Sequence, residues 1–223
     1  MNFEQARFNM IEQQIRPWEV LDTQVLSLLA VVRREDFVPP AHQALAFADL
    51  EIPLPPGTHP SQCMLSPKVE ARLLQDLGVQ KHEKVLEIGP GTGYMAALLA
   101  HRAQQVVSLE IDPGLAALAR QNLQKAGVYN AQVLQADGAQ PLQGEAAGPF
   151  DVILLSGSVA EVPESLKAQL KVGGRLAAIV GNEPVMCATI LTRVGESAWR
   201  MTQDWDTVAP RLQHFAEPSG FQF

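Results

Sequence analysis

Seven residues, Glu87-Ile88-Gly89-Pro90-Gly91-Thr92-Gly93, limit what this chain can fold into more than any other stretch. They close the apolar run 84–88 and open the helical pattern 94–102, the strand–turn–helix context in which a glycine-rich turn is informative. Glycine at 89, 91 and 93 lets the backbone turn tightly and pass close to a ligand, because a Cβ there would clash or demand an unfavourable φ. Short apolar runs alternate with helical stretches from here on, the signature of repeated β–α units on a parallel sheet. Strands are predicted at 84–88, 105–109, 131–135, 150–155 and 174–180, with helices near 94–102, 114–126 and 162–170 between them. Two further apolar runs, 187–193 and 199–202, are predicted to pair antiparallel and complete the sheet. The expected fold class is α/β, a Rossmann-like sheet flanked by helices, over residues 79–223.

Residues 1–78 read as a separate helical extension. Phe8, Ile11 and Ile15 recur at three- and four-residue spacing and predict an amphipathic helix over 4–16, ended near Arg16-Pro17 because the residue before proline disfavours the α region. A second helix starts from Asp22 as N-cap and carries Val25, Leu28, Leu29 and Val32. Pro53, Pro55, Pro56, Gly57, Pro60 and Pro67 crowd residues 48–67; that density excludes a regular element and predicts an ordered, extended loop lying over the active site. Over 67–77 the spacing predicts a helix, with proline just inside its start and Gly78 just past its end.

Composition narrows the function classes. The 223 residues suffice for one main domain, and 47% hydrophobic with 18% charged residues describes a globular chain. No apolar run attains the roughly 18 residues that span a bilayer, and the start has no basic and apolar leader, so a cytoplasmic protein without membrane partners is expected. A net charge of −7 argues against a broad phosphate-binding surface and hence against nucleic acid as a partner. The five histidines show no HxxxH or HExxH spacing, so no metal is expected; Cys63 and Cys187 lie far apart and read as free thiols. Phe221 and Phe223 put two aromatics at the end of the chain, which leaves monomer and homodimer both open.

The glycines alone also suit a turn that binds nothing, but carboxylates at three successive strand ends point to a ligand. The spacing is GxGxG rather than the GxGxxG of dinucleotide sites, and Glu87 stands two residues before the first glycine. An acid there suits the cationic amino end of a methionine moiety, directly or through water. Glu110 ends the next predicted strand, where a ribose would present two hydroxyls to its two oxygens. Asp112, just before Pro113, instead reads as a helix cap. Asp137, in Ala136-Asp137-Gly138, ends the third unit at the same edge, where adenine's exocyclic amine needs an acceptor, although Asp137 by itself also suits a turn. The ligand these three describe is S-adenosylmethionine (SAM), with S-adenosylhomocysteine as its product.

In order and spacing the chain resembles the protein-L-isoaspartate O-methyltransferase family of class I SAM-dependent methyltransferases. The likeness rests on Phe37-Val38-Pro39, on Ala46-Phe47-Ala48-Asp49 leading to Pro53-Leu54-Pro55, and on Val85 through Ala100. It continues through Asp137-Gly138, Pro149-Phe150-Asp151-Val152-Ile153, Glu161-Val162-Pro163 and Leu170 through Leu176. The resemblance implies methyl transfer without a metal to the α-carboxylate of isoaspartyl residues in damaged protein. It also implies a cofactor-binding set of Glu87, Gly89, Gly91, Gly93, Glu110, Ile111, Asp137, Gly138 and Ser156. The family's Gly-x-Gly-Gln-Thr-Ile-Ser-x-Pro segment, whose Ser hydroxyl lies near the reacting groups, reads Gln62-Cys63-Met64-Leu65-Ser66-Pro67 here. Leu65 takes the place of that Ser, and Ser66 could act as the catalytic hydroxyl only if the backbone shifts by one position. The family's Thr-Ala-Ala-Ala run is Ser156-Gly157-Ser158-Val159. Two other readings keep the cofactor: a methyltransferase with a small-molecule acceptor, and a non-catalytic SAM-binding homologue acting through a partner.

Overall fold

The computed structural model describes residues 2–55, 58 and 61–217. Helix α1 (Phe3–Met10) passes into a π-helical turn at Ile11–Ile15 and a short 3-10 turn at Arg16–Trp18. The wider turn rotates the apolar stripe relative to a regular helix. Met10, Ile11 and Ile15 are buried as a result, whereas Phe8, expected on the same stripe, faces solvent. Helix α2 (Thr23–Val31) begins as expected at Asp22, whose side chain accepts from the Gln24 N–H. In the proline-rich stretch, β1 (Ile52–Pro53) and β2 (Cys63–Met64) form a two-residue antiparallel pair, so proline density did not exclude strand there. Proline is tolerated on an edge of this kind, where its missing N–H leaves no ladder bond unmade. Pro56, Gly57 and Pro60 of the same stretch lie outside the described residues.

Helix α3 (Pro67–Leu77) has the predicted bounds, with Gly78 at φ +55° donating to the carbonyls of Leu74 and Gln75. Its buried stripe of Val69, Leu73, Leu74 and Leu77 docks it on the sheet domain. The sheet follows: β3 (Lys84–Ile88), α4 (Tyr94–Arg102), β4 (Gln105–Glu110), α5 (Pro113–Lys125), β5 (Ala131–Gln135), β6 (Phe150–Val159), α6 (Glu164–Lys167), β7 (Leu170–Asn182), β8 (Val185–Arg193) and β9 (Trp199–Thr207). The seven strands β3 to β9 run in the order β5-β4-β3-β6-β7-β8-β9; β3 to β7 are parallel, and β8 and β9 are the expected antiparallel pair. Helix α6 is much shorter than the 162–170 expected, because residues 169 and 170 already bond to and pair with Phe150 of β6.

Successive side chains of a strand face opposite sides, and both sides of this sheet are buried. Val85, Val106, Val152 and Leu154 face the helices α1 to α5; Leu86, Ile88, Val107, Leu109, Ile153 and Leu155 form the core on the other side. The first of these cores also takes in Met10, Ile15, Leu29, Phe37 and Leu65, so residues before 79 pack continuously against the sheet. A buried guanidinium ties them further: Arg34, fully inaccessible, donates to the carbonyls of Ala46 (3.0 Å) and Leu65 (2.9 Å).

Gly93 shows what the third turn glycine does. It caps α4 at φ +89°, and a Cβ on it would stand 3.3 Å from the Cα, Cβ and carbonyl oxygen of Ala119 in α5. Gly93→Ala is therefore expected to lower stability by about 1–3 kcal/mol through backbone strain and loss of this helix contact. Urea unfolding measures it; a variant as stable as the parent would show that the turn tolerates a side chain.

Candidate active site

The order of the strands reverses direction at β3, with β4 and β5 on one side and β6 and β7 on the other. At such a switch point the connections leave toward opposite faces and open a crevice beyond the strand ends. A cavity with about 670 Å³ of empty space lies there. Of the predicted cofactor residues, Gly89, Gly91, Glu110, Ile111, Asp137, Gly138 and Ser156 line it. Gly93 does not, being turned toward α5, and Glu87 does not either.

Glu87 is the largest departure from expectation. It lies on the same sheet face as Ser108, its paired residue on β4, and is completely inaccessible. One carboxylate oxygen accepts from Ser108 Oγ at 2.7 Å and the other from Ser156 Oγ at 2.8 Å. Burial pushes its pKa up to about 7 against the pull of the two hydroxyls. It braces the floor of the site: pairing sets residues 87 and 108 on one face, and Ser156 reaches Glu87 from the stretch where β6 breaks register.

Glu110 stands on the cavity, at the strand end where it was expected. Its Oε2 accepts from the Gly91 N–H (3.0 Å) and its Oε1 from the Asp112 N–H (3.1 Å). Each oxygen retains a lone pair for a diol, and the carboxylate stands on the cavity wall. Burial raises its pKa, opposed by those N–H bonds. Asp112 caps α5 by accepting from Leu115. Asp137 accepts from the Ala139 N–H (3.0 Å) and pairs with His214 Nδ1 (2.8 Å). Although burial acts to raise it, the His214 ring and the Ala139 N–H hold Asp137 below the usual carboxylate range.

Two walls come from outside the strand ends, the first expected over the active site and the second not anticipated. One comes from the proline-rich stretch, which contributes Leu54, Gln62, Cys63 and Leu65. Burial and the nearby Glu51 push the Cys63 thiol up to about 12, which leaves it a neutral, unreactive lining residue. The other comes from the segment after β9, where the Ser158 N–H donates to the Pro210 carbonyl (2.7 Å) and the Leu212 N–H to the Ser158 carbonyl (2.9 Å). Leu212 thereby sits on the glycines: a Cβ at Gly89 or at Gly157 would stand 2.9 Å from its side chain. No periodicity marks this irregular segment, and the terminal aromatics Phe221 and Phe223 lie outside the described residues. Ser66, the candidate catalytic hydroxyl, is not on the cavity wall; it is the N-cap residue of α3, and Leu65 holds the wall position.

The cavity fits SAM by the chemistry of its donors and acceptors. Glu110 keeps lone pairs for a diol, Asp137 is an acceptor at the next strand end, and Gly91, at φ +54°, puts backbone without a side chain on the cavity wall. A family model described as protein-L-isoaspartate(D-aspartate) O-methyltransferase matches residues 5–206. A Koribacter versatilis protein named protein-L-isoaspartate O-methyltransferase is 38% identical over 187 residues, 84% of this chain and 82% of its own length. Its counterpart named protein-L-isoaspartate O-methyltransferase 1 in Syntrophobacter fumaroxidans is 42% identical over 182 residues, 82% of each chain. Among solved structures, a Plasmodium falciparum protein assigned the same name and crystallised with S-adenosyl-L-homocysteine matches with a TM-score of 0.77. It covers 96% of this chain and 99% of that one at 18% identity, a likeness of fold.

The buried acid gives a measurable signature. In the unfolded chain Glu87 loses its proton near the ordinary value of 4.5, but in the folded protein only near 7. The folded state then binds more protons across that window, so stability falls as pH rises from about 4.5 to about 7. Glu70, also raised to about 7 by burial, contributes in the same window. Glu87→Gln is expected to flatten part of that fall in urea unfolding without added cofactor. An unaltered slope would mean that Glu87 titrates like an exposed carboxylate.

Proposed function

The chain belongs to the protein-L-isoaspartate(D-aspartate) O-methyltransferase family, and from that premise we infer that it is a SAM-dependent O-methyltransferase acting on isoaspartyl carboxylates of damaged protein. The observation that carries this reading is a single cavity in which Gly89, Gly91, Glu110 and Asp137 meet, continued outward by a wide groove. The groove has about 1220 Å³ of empty space and shares Ser61, Gln62, Cys63, Pro210 and Arg211 with the cavity. Its breadth suits a polypeptide better than a small acceptor. No helix among the described residues is long and apolar enough to cross a membrane. Two free cysteines agree with a reducing cytoplasmic setting.

Bound SAM supplies an electrophilic methyl group on a sulfonium. The acceptor carboxylate is already ionised at neutral pH, so the chain has little acid–base work to do and acts by holding two partners in line. Glu110 takes the ribose end and Asp137 the adenine end, while Gly91 lets the backbone come close. Leu54, Leu65, Leu212 and Phe215 contribute apolar surface to the cavity and limit water near the transfer. Arg211 does not offer a loose cation to the acceptor: it bonds Gly181 O and Asn182 Oδ1 and pairs with Glu217 at 2.9 Å. Leu65 means that the hydrogen bond of the family's Ser is absent and that positioning rests on the walls.

Calorimetry with SAM and S-adenosylhomocysteine should show binding, and radiolabelled SAM should label an isoaspartyl peptide but not its aspartyl twin. Equal labelling of both peptides, or none, would refute the acceptor assignment. Glu110→Ala is expected to weaken SAM binding by about 1–3 kcal/mol, the scale of hydrogen bonds to a charged group. An unchanged Kd would remove Glu110 from the ribose site. Leu65→Ser is expected to raise kcat/KM for the isoaspartyl peptide by roughly tenfold or more through a restored hydrogen bond; no gain would show that this position does not touch the acceptor.

A further inference from the structure

After β9 the chain turns back across the crevice as a strap, residues 208–217, with no helix and an isolated bridge between Arg211 and Ser158. Its near end is fastened to β6 and β7. Ser158 donates from its N–H to the Pro210 carbonyl (2.7 Å) and from Oγ to the Ala209 carbonyl (2.8 Å), and the Leu212 N–H returns to the Ser158 carbonyl (2.9 Å). Arg211 bonds Gly181 O (2.9 Å) and Asn182 Oδ1 (2.6 Å) at the end of β7. From there the strap passes over the glycine turn, with Leu212 against Gly89, and puts Leu212, Gln213 and Phe215 on the cavity wall. On the far bank, beyond β5, it reaches Asp137: His214 Nδ1 stands 2.8 Å from Asp137 Oδ2.

Two features set this contact apart from an incidental surface pair. The His214 backbone is left-handed at φ +65°, a conformation that among the described non-glycine residues only Glu19 shares. It is uncommon for a residue with a Cβ and persists where the surroundings fix it. Here it lies between Leu212, seated on Gly89, and Phe215, on the cavity wall. The second feature is the inventory of the Asp137 carboxylate, which when ionised offers about four lone-pair sites and only accepts, so that Nδ1 is the donor. The Ala139 N–H occupies Oδ1, the His214 ring occupies Oδ2, and the Gln140 side chain bonds the group as well. About one site is left over, enough for a single N–H from a molecule in the cavity that Asp137 lines.

We propose that His214 is a positioning residue for the cofactor: its Nδ1–H clasps the strap to Asp137 and fixes that carboxylate with one lone pair free for the exocyclic amine of the nucleobase. The assignment rests on the reading of Asp137 as the adenine acceptor. Closing the strap and reading the base become one event, because the ring that orients the acceptor belongs to the segment that carries Leu212 and Phe215 over the crevice. Burial acts to raise the Asp137 carboxyl, and the ring and the Ala139 N–H outweigh it, which keeps the group an acceptor. A purine with a carbonyl in place of the amine sets acceptor against acceptor there and gains nothing from the clasp.

The test is calorimetry of the full chain with S-adenosylhomocysteine near neutral pH. His214→Ala is expected to weaken binding by about 3- to 10-fold, the loss of a hydrogen bond to a charged group at a ring partly screened by solvent. His214→Gly accepts the positive φ without a side chain and is expected to lose as much. His214→Asn tolerates that φ, offers an amide N–H to Asp137, and is expected to stay within about twofold of wild type. In an Asp137→Asn background, His214→Ala is expected to change affinity by less than about twofold, since no carboxylate remains to be positioned. The deaminated ligand S-inosylhomocysteine is expected to bind wild type and His214→Ala alike, to within about twofold. An unchanged affinity in His214→Ala, a recovery in His214→Gly, no recovery in His214→Asn, or an equal loss with and without Asp137 overturns the proposal, as does an equal loss for the two ligands. If Asp137→Asn alone leaves affinity unchanged, the adenine reading of Asp137 falls and the role of His214 with it, while the cavity stands as the cofactor site. Wild-type protein that does not bind S-adenosylhomocysteine overturns the cofactor reading itself.

Discussion

The turn from Gly89 to Gly93 is the constraint on which the rest of the molecule is arranged. Its three glycines all have positive φ, so the backbone path there is open to few other residues. Four separate parts of the chain are fitted to that path. Glu110 accepts from the Gly91 N–H, Asn122 of α5 donates to the Thr92 carbonyl at 2.9 Å, Leu54 lies over Gly91 and Leu212 over Gly89. The turn is thus both a ligand-facing surface and the joint where sheet, helices, proline-rich stretch and terminal segment meet.

Around this joint the protein buries three carboxyl groups. Glu70, Glu87 and Glu110 are each at least 95% inaccessible, and only Glu70 has a buried cation beside it. Each solution is different: paired serine hydroxyls for Glu87, backbone N–H groups for Glu110, and a loosely matched guanidinium for Glu70. Burial of a carboxylate without an ionic partner is unfavourable, and the hydrogen bonds offset only part of it. The interior next to the glycine turn is therefore kept polar at the expense of stability, a common arrangement where geometry serves a ligand.

Much of this was legible in the residues because the signals are local. Strand alternation, glycine spacing and proline at a helix start located β3, α4, α3 and the Asp112 cap, and carboxylates at strand ends located Glu110 and Asp137 on the cavity. The misreadings arose where tertiary contacts decide. Phe8 left its stripe because the helix widens to a π turn, a choice no residue at 11–15 announces. Glu87 was placed at the correct strand end but on the wrong neighbour, since its orientation follows from Ser108 across the sheet and from Ser156, where β6 breaks register between Leu154 and Ser158. Glu70 gave no signal at all: in a helical pattern an acid in the first turn reads as a favourable charge near the N-terminus, and only packing reveals that it is enclosed.

The walls of the cavity are drawn from residues as far apart as Leu54 and Phe215. A molecule seated between them is held by segments from most of the length of the chain. Cofactor concentration then acts on the folding equilibrium as a whole: at about 100 times its Kd a ligand confined to the native state adds about 2.7 kcal/mol. An enzyme whose substrate is aged protein would accordingly have its own conformational lifetime set by the supply of its methyl donor.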